Sequence, residues 1–142
     1  MIYCDTSLLV TALTVEDRTA QVQAWLTTRT EGELCISLWV VTEFSSALSL
    51  KLRRGEMPVD ERARIISNWH ALRQDHLAML PVPENAFALA AQFCDRFESG
   101  LRAGDALHLA VAALGGHSLA TLDQTMARAA VEVGVGVESV AS

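Results

Sequence analysis

Short apolar runs alternate with longer amphipathic stretches along the whole chain. Ile2-Tyr3-Cys4 is an unbroken apolar triplet that ends at Asp5-Thr6-Ser7, and as a buried strand it delivers Asp5 to its carboxyl end. Thr6 to Leu13 predicts a short helix, with Asp5 or Thr6 as its N-cap. Residues 18–29 predict a longer helix, because Val22, Trp25 and Leu26 recur at i, i+3 and i+4 before Gly32 breaks the pattern. Leu34-Cys35-Ile36 predicts a second strand, and Ser37 is placed to cap a helix over 38–53.

Gly55 and Pro58 mark a turn before a helix over 60–75, which buries Ile65, Ile66, Trp69 and Leu72. Ala78-Met79-Leu80 predicts a third strand, closed by Pro81 and Pro83. A helix over 84–97 follows, with Phe87, Leu89, Ala90 and Phe93 expected inward. The helix that begins near Gly104 is apolar nearly all round, which marks a central, buried element, and Gly115-Gly116 stop it. Ser118-Leu119-Ala120 predicts a fourth strand, Thr121-Leu122-Asp123 turns into a last helix ending near Val133, and Val135 to Val137 predicts a fifth strand. Helices alternating with short, unbroken apolar strands imply an α/β fold with a mainly parallel sheet covered on both faces.

Composition narrows the class. At 142 residues and 51% hydrophobic, the chain is expected to form a single domain with a full core. No apolar run approaches the ~20 residues of a membrane span, and no basic leader precedes Asp5, so a cytoplasmic protein is expected. Cys4, Cys35 and Cys94 are odd in number and widely spaced, which suits buried thiols better than zinc or redox chemistry. The net charge of −6 does not advertise a polyanion binder. It hides an asymmetry: residues 51–73 carry six cations against three acids, a local +3 that leaves −9 elsewhere.

Four acids stand in odd settings. Asp5 follows the first strand, Asp123 follows the fourth, Asp105 lies in the first turn of the apolar helix, and Glu43 sits beside the apolar stripe of its helix. Taken singly, Asp5, Asp105 and Asp123 have structural readings as helix caps or first-turn acids. Glu43 fits that reading less well, its best structural partner being Arg102. In a parallel sheet all four reach one edge. Two like charges ~4 Å apart cost about 4 kcal/mol at an effective dielectric of about 20, so a converged set calls for protonation or a divalent cation. Oxygen ligands without accompanying Cys or His suit Mg²⁺ or Mn²⁺.

Asp5-Thr6-Ser7, Glu43 within Val41-Thr42-Glu43-Phe44, Asp105 within Gly104-Asp105-Ala106-Leu107-His108-Leu109-Ala110, and Thr121-Leu122-Asp123 resemble the motifs of the PIN-domain nucleases. In length and order the chain resembles the VapC toxins of toxin–antitoxin pairs. The resemblance implies residues 1–142 as one three-layer α/β/α sandwich around about five strands. It further implies a Mg²⁺- or Mn²⁺-dependent endoribonuclease with Asp5, Glu43, Asp105 and Asp123 as catalytic and metal-binding residues, Asp5 and Asp105 foremost as ligands. Ser7 and Thr121 take supporting roles that orient carboxylates. Products with a 5′-phosphate and a 3′-hydroxyl, structured RNA such as tRNA or rRNA as substrate, a homodimer and a small inhibiting antitoxin complete the implied picture. Some relatives carry a further acid after the fourth; Gln124, Thr125 and Met126 stand there instead, so one bound ion is expected.

His108 lies one turn from Asp105, a spacing that can present two ligands, but without a second histidine nearby a packing role is expected. Trp25, Trp39 and Trp69 fall on apolar faces and are expected in core or dimer packing rather than base stacking. Lys51, Arg53, Arg54, Arg62 and Arg64 are candidates to guide RNA phosphates. Two alternatives compete: a catalytically silent PIN-like module that binds RNA or protein, and a phosphatase with Asp5 as nucleophile. The second usually wants another acid two residues on, where Ser7 stands.

Overall fold

The computed structural model describes residues 1–140; the last two residues of the expected 1–142 domain lie outside them. β1 (Ile2–Cys4) leads into α1 (Thr6–Leu13) and α2 (Thr19–Thr27), followed by β2 (Leu34–Ser37) and α3 (Leu38–Arg53). Then come α4 (Arg62–His76), β3 (Leu77–Leu80), α5 (Glu84–Asp95), α6 (Ala103–Gly115), β4 (Ser118–Ala120) and α7 (Gln124–Glu132). The strands form one parallel sheet in the order β3-β2-β1-β4. β1 is therefore central, and all three of its residues are buried.

That order puts a topological switch beside β1. The chain moves outward from β1 through β2 to β3, then returns to place β4 on the other side of β1. In open parallel sheets the crevice at such a switch, beyond the carboxyl ends of the strands, is where ligands bind. Asp5 follows β1 at that crevice, and its backbone N–H still donates to the Ala120 carbonyl at 3.1 Å.

The sheet has four strands rather than about five. Val135 to Val137 makes a single parallel bridge, Leu119 to Val137, flanked by N–H bonds from Leu119 to Gly136 and from Glu138 to Leu119, both 2.8 Å. Gly134 turns at φ +82° just before it, and Gly136 brings no side chain to pack, so the run is too short and too poorly packed to extend the ladder.

α6 is the apolar pillar that its composition implies, with Ala106 through Ala112 all buried. α5 corrects one expectation. Its buried face runs Ala86, Ala90, Phe93, at i, i+4 and i+7, which rotates Phe87 outward to 59% exposure and leaves Leu89 half-buried. Trp25 and Trp69 are in the core. Trp69 stacks on Phe44 with ring centroids 4.3 Å apart, and so ties α4 to α3. Among the described residues no helix is long and apolar enough to cross a membrane.

Candidate active site

Asp5 is the most enclosed of the four acids, at 2% exposure. Its Oδ1 accepts the Ser7 hydroxyl at 2.8 Å and the Leu8 N–H at 3.2 Å, so it caps α1 as well. Its Oδ2 accepts the Thr121 hydroxyl at 2.7 Å. Ser7 Oγ also accepts the Leu122 N–H, and Thr121 Oγ1 accepts the Asp123 N–H. The turn after β4 is thus stitched to the turn after β1 through the Asp5 carboxylate. Burial pushes the Asp5 carboxyl above its ordinary range, and the Thr121 and Ser7 bonds oppose that rise only in part.

Glu43 reaches the same edge from α3. Its Oε1 accepts the Thr6 hydroxyl at 2.7 Å and makes a short hydrogen bond with His108 Nε2. The partner is therefore His108, not Arg102. Burial alone would raise the Glu43 carboxyl, but the His108 bond, the His108 charge and the Thr6 bond outweigh it and hold the group below the usual carboxylate range.

His108 itself is 1% exposed and has a partner on each nitrogen. Its Nδ1 lies 2.7 Å from the Tyr3 hydroxyl, which lies 2.7 Å from Ser37 Oγ. Burial raises the Tyr3 hydroxyl far beyond its ordinary range, so it stays a phenol. The Tyr3 hydroxyl thus bridges Ser37 and His108, and with Glu43 on Nε2 every member of the chain has a partner. Ser37 stands at the N-cap position of α3 but makes no side-chain cap bond, because Tyr3 engages its hydroxyl.

Asp105 has no hydrogen-bond partner for its carboxylate among the described residues. Burial raises its carboxyl, and the charges of Asp123, Glu43 and Asp5 raise it further against the pull of His108. Asp105 thus feels the charges of the other three acids. Asp123 caps α7, with Oδ1 accepting the N–H groups of Thr125 at 2.8 Å and Met126 at 3.2 Å, which leaves Oδ2 free of a protein donor among the described residues. Among the described residues no three His, Cys, Asp or Glu side chains stand close enough together to form a ready ligand shell. The donor set nevertheless fits a hard cation, since it consists of carboxylate oxygens, some oriented by hydroxyls, with an unrelieved like-charge repulsion at Asp105.

An apolar groove of about 550 Å³ runs from this edge along α5 and α6. Phe87, Cys94, Leu107, Leu38 and Trp39 line it, and Gly104 forms its inner end. A Cβ on Gly104 would meet Glu43 Oε2 at 2.9 Å and the Trp39 ring at 3.5 Å. Trp39 Nε1 donates to the Gly104 carbonyl at 3.3 Å, so Trp39 borders the site instead of joining the deep core.

The basic segment is less available than its composition suggests. Lys51 Nζ pairs with Glu16 at 2.6 Å and lies 3.9 Å from Glu56; Arg54 lies 4.0 Å from Glu56, and Arg64 lies 3.6 Å from Glu61. Arg53 donates to Ser49 Oγ at 2.8 Å. Arg62 lines a pocket together with Arg73, and neither enters an ion pair among the described residues.

Tyr3, Thr6, Ser37 and the bridging role of His108 lie beyond the pattern reading. One signal pointed to them: a polar ring in a wholly apolar helix needs partners on both nitrogens.

The family model of the PIN domain matches residues 2–132. Among solved structures, VapC20 of Mycobacterium tuberculosis, a sarcin-ricin loop cleaving toxin, is similar with a TM-score of 0.70 at 20% identity, over 91% of this chain and 95% of that one. FitAcB of Neisseria gonorrhoeae is similar with a TM-score of 0.67 at 23% identity, over 99% and 98%. VapBC2 of Rickettsia felis, bound to a DNA fragment from their promoter, gives 0.67 at 17% identity, over 97% and 98%. No curated protein matches the chain significantly.

Proposed function

The chain belongs to the PIN domain family, and on that footing we propose that it is a Mg²⁺- or Mn²⁺-dependent endoribonuclease, the toxin of a type II toxin–antitoxin pair. The observation that carries this is the Asp5 carboxylate at the topological switch, held by Ser7 and Thr121, with Asp105 feeling its charge and those of Glu43 and Asp123. We assign Asp5 and Asp105 as the principal residues that hold the cation, with Glu43 and Asp123 completing the acidic wall. Such an ion, when bound, neutralises phosphoryl oxygens and lowers the pKa of water at the scissile phosphate.

The chain's own residues supply orientation and charge. Ser7 and Thr121 each donate to one oxygen of Asp5 and fix its plane. His108 and Thr6 keep Glu43 ionised and aimed across α6. Asp105, without a donor of its own, is the acid most free to engage a cation, which removes the repulsion that raises its carboxyl.

RNA is the proposed substrate, with a tRNA or rRNA loop as the target class; the sarcin-ricin loop activity of VapC20 supports the rRNA option. A cytoplasmic setting, a homodimer and a small antitoxin belong to the same proposal. The apolar groove with its exposed Phe87 supports a protein partner, since an open apolar surface beside a polar site gains from being covered.

The test is induced expression of the unsubstituted protein beside Asp5→Asn, with total RNA examined for a discrete cut, and cleavage in vitro with and without Mn²⁺. Identical RNA in both cultures and no Mn²⁺-dependent cut would favour the rival, a catalytically silent PIN-like binding module.

A further inference from the structure

A second polar pocket lies between α3 and α4, on a face the acidic site does not use. It has a volume of about 190 Å³, room for about six waters at the ~30 Å³ each occupies in the liquid. Ser45 and Ser49 line it from α3 and Arg62, His70 and Arg73 from α4, apolar side chains with Phe44 and Trp69 among them make up the other half of the wall, and no acidic side chain among the described residues lines it. Ser45 follows Glu43 by two residues, about 200° around the helix at 3.6 residues per turn, so the pocket opens on the far side of α3 from the acids.

The two arginines here have no counter-ion among the described residues. Lys51, Arg54 and Arg64 pair with Glu16, Glu56 and Glu61, whereas Arg62, His70 and Arg73 enter no ion pair among the described residues. Arg73 packs on an aromatic pair: its guanidinium lies 5.5 Å from the centre of the Trp69 ring, and Trp69 is itself stacked on Phe44. Its Nε is buried without a hydrogen-bond partner among the described residues. A guanidinium N–H left buried and unpaired is costly, and a turn of the side chain toward an oxyanion in the pocket would remove that cost. Arg53, bonded to Ser49 Oγ at 2.8 Å, adds a third cation next to a lining residue.

We infer that the α3–α4 pocket is a phosphate-binding site, and that it holds a backbone phosphate of the RNA at a distance from the scissile bond. Two guanidinium groups, one of them packed on Trp69, an imidazole and hydroxyls with no carboxylate among them recognise a phosphate rather than a base. The inference rests on the ribonuclease proposal only for the source of that phosphate. The site would set the direction in which RNA crosses α3, and would explain how a chain of net charge −6 holds a polyanion.

The experiment uses the full chain carrying Asp5→Asn, so that RNA is bound and not consumed. Inorganic phosphate, titrated against chloride at matched ionic strength, is expected to shift the His70 ring resonances saturably, and Arg73→Gln is expected to abolish that response. RNA affinity in Arg73→Gln is expected to fall roughly tenfold, with the log–log salt slope shallower by about one. Arg29→Gln removes the same charge elsewhere and is expected to change neither. If Arg73→Gln does not fold, Arg62→Gln and Arg73→Lys serve, the latter keeping the charge and losing the fork. A His70 that ignores phosphate in the folded protein overturns the site. Phosphate binding with RNA affinity and slope equal to those of Arg29→Gln assigns the pocket to free phosphate and overturns the RNA role. The phosphate titration does not depend on cleavage, so failure of the ribonuclease proposal would be seen separately, as intact RNA with the unsubstituted protein.

Discussion

His108 Nε2 and Glu43 Oε1 share a short hydrogen bond that joins α6 to α3 across 65 residues of sequence. The bond makes a fully buried imidazole the support of a half-buried carboxylate. Replacing His108 with Ala would leave the Tyr3 hydroxyl short of a partner and remove the bond that keeps Glu43 ionised. A loss of about 2–4 kcal/mol in urea unfolding is expected, from the cavity and the unpaired polar groups together. Cleavage should fall as well. A stability loss below about 0.5 kcal/mol, the size of an ordinary surface substitution, would show that the imidazole is not a structural bridge.

Asp5→Asn separates folding from chemistry. Asn caps helices about as well as Asp, and removing a charge that burial disfavours offsets part of any loss of hydrogen-bond quality with Ser7 and Thr121. Unfolding free energy should stay within about 1 kcal/mol of the unsubstituted protein. Mn²⁺ at ~100 times its dissociation constant should stabilise the unsubstituted chain by about 2.7 kcal/mol and Asp5→Asn far less. Calorimetry with and without Mn²⁺ checks both statements.

Gly104→Ala tests how closely α6 approaches Glu43. Ala is the better helix former by up to ~1 kcal/mol, and this glycine does not have a positive φ. Its added methyl would nevertheless sit 2.9 Å from Glu43 Oε2, a side chain held by His108 and Thr6 and unable to swing away freely. Little change in thermal stability with a fall in cleavage of about tenfold or more, or ~1.4 kcal/mol in transition-state binding, is expected. Unchanged cleavage would mean that Glu43 is free to shift.

The Glu16–Lys51 pair predicts a pH dependence of stability. Burial raises the Glu16 carboxyl, but Lys51 and Thr11 outweigh it and hold the group below its ordinary value of 4.5. A folded pKa below the unfolded one means that the contribution is fully present above about pH 4.5 and is lost as pH falls through the lower folded value. Glu16 is 31% exposed and Lys51 18%, so screening limits the pair to about 0.5 kcal/mol. Glu16→Gln should be less stable than the unsubstituted protein by that amount at neutral pH, and the difference should close on acidification. A gap that persists at pH 3 would point to lost packing instead.

Local pattern determined much of this protein. The period of its apolar residues predicts seven helices and five short strands, and all but the fifth strand form close to the predicted bounds, because burial on one face constrains each segment separately. The approach of Asp5 and Asp123 to one edge also follows from strand ends in a parallel sheet. Phe87 shows where pattern ran short: the apolar stripe of α5 is wide enough to be buried in either of two rotations, and packing against α6 chose the one through Ala90 and Phe93.

Tertiary structure alone decided which side chains meet. That Glu43 pairs with His108 and not Arg102, that Tyr3 joins Ser37 to that pair, and that Arg62 and Arg73 are left without counter-ions among the described residues while Lys51 finds Glu16, are relations between elements distant in sequence. Periodicity fixes the face a residue occupies on its own helix or strand, but not the rotation and offset of the neighbour it faces. A hydrogen bond weakens steeply over less than an ångström of displacement, so its partners are set only once the whole core has packed.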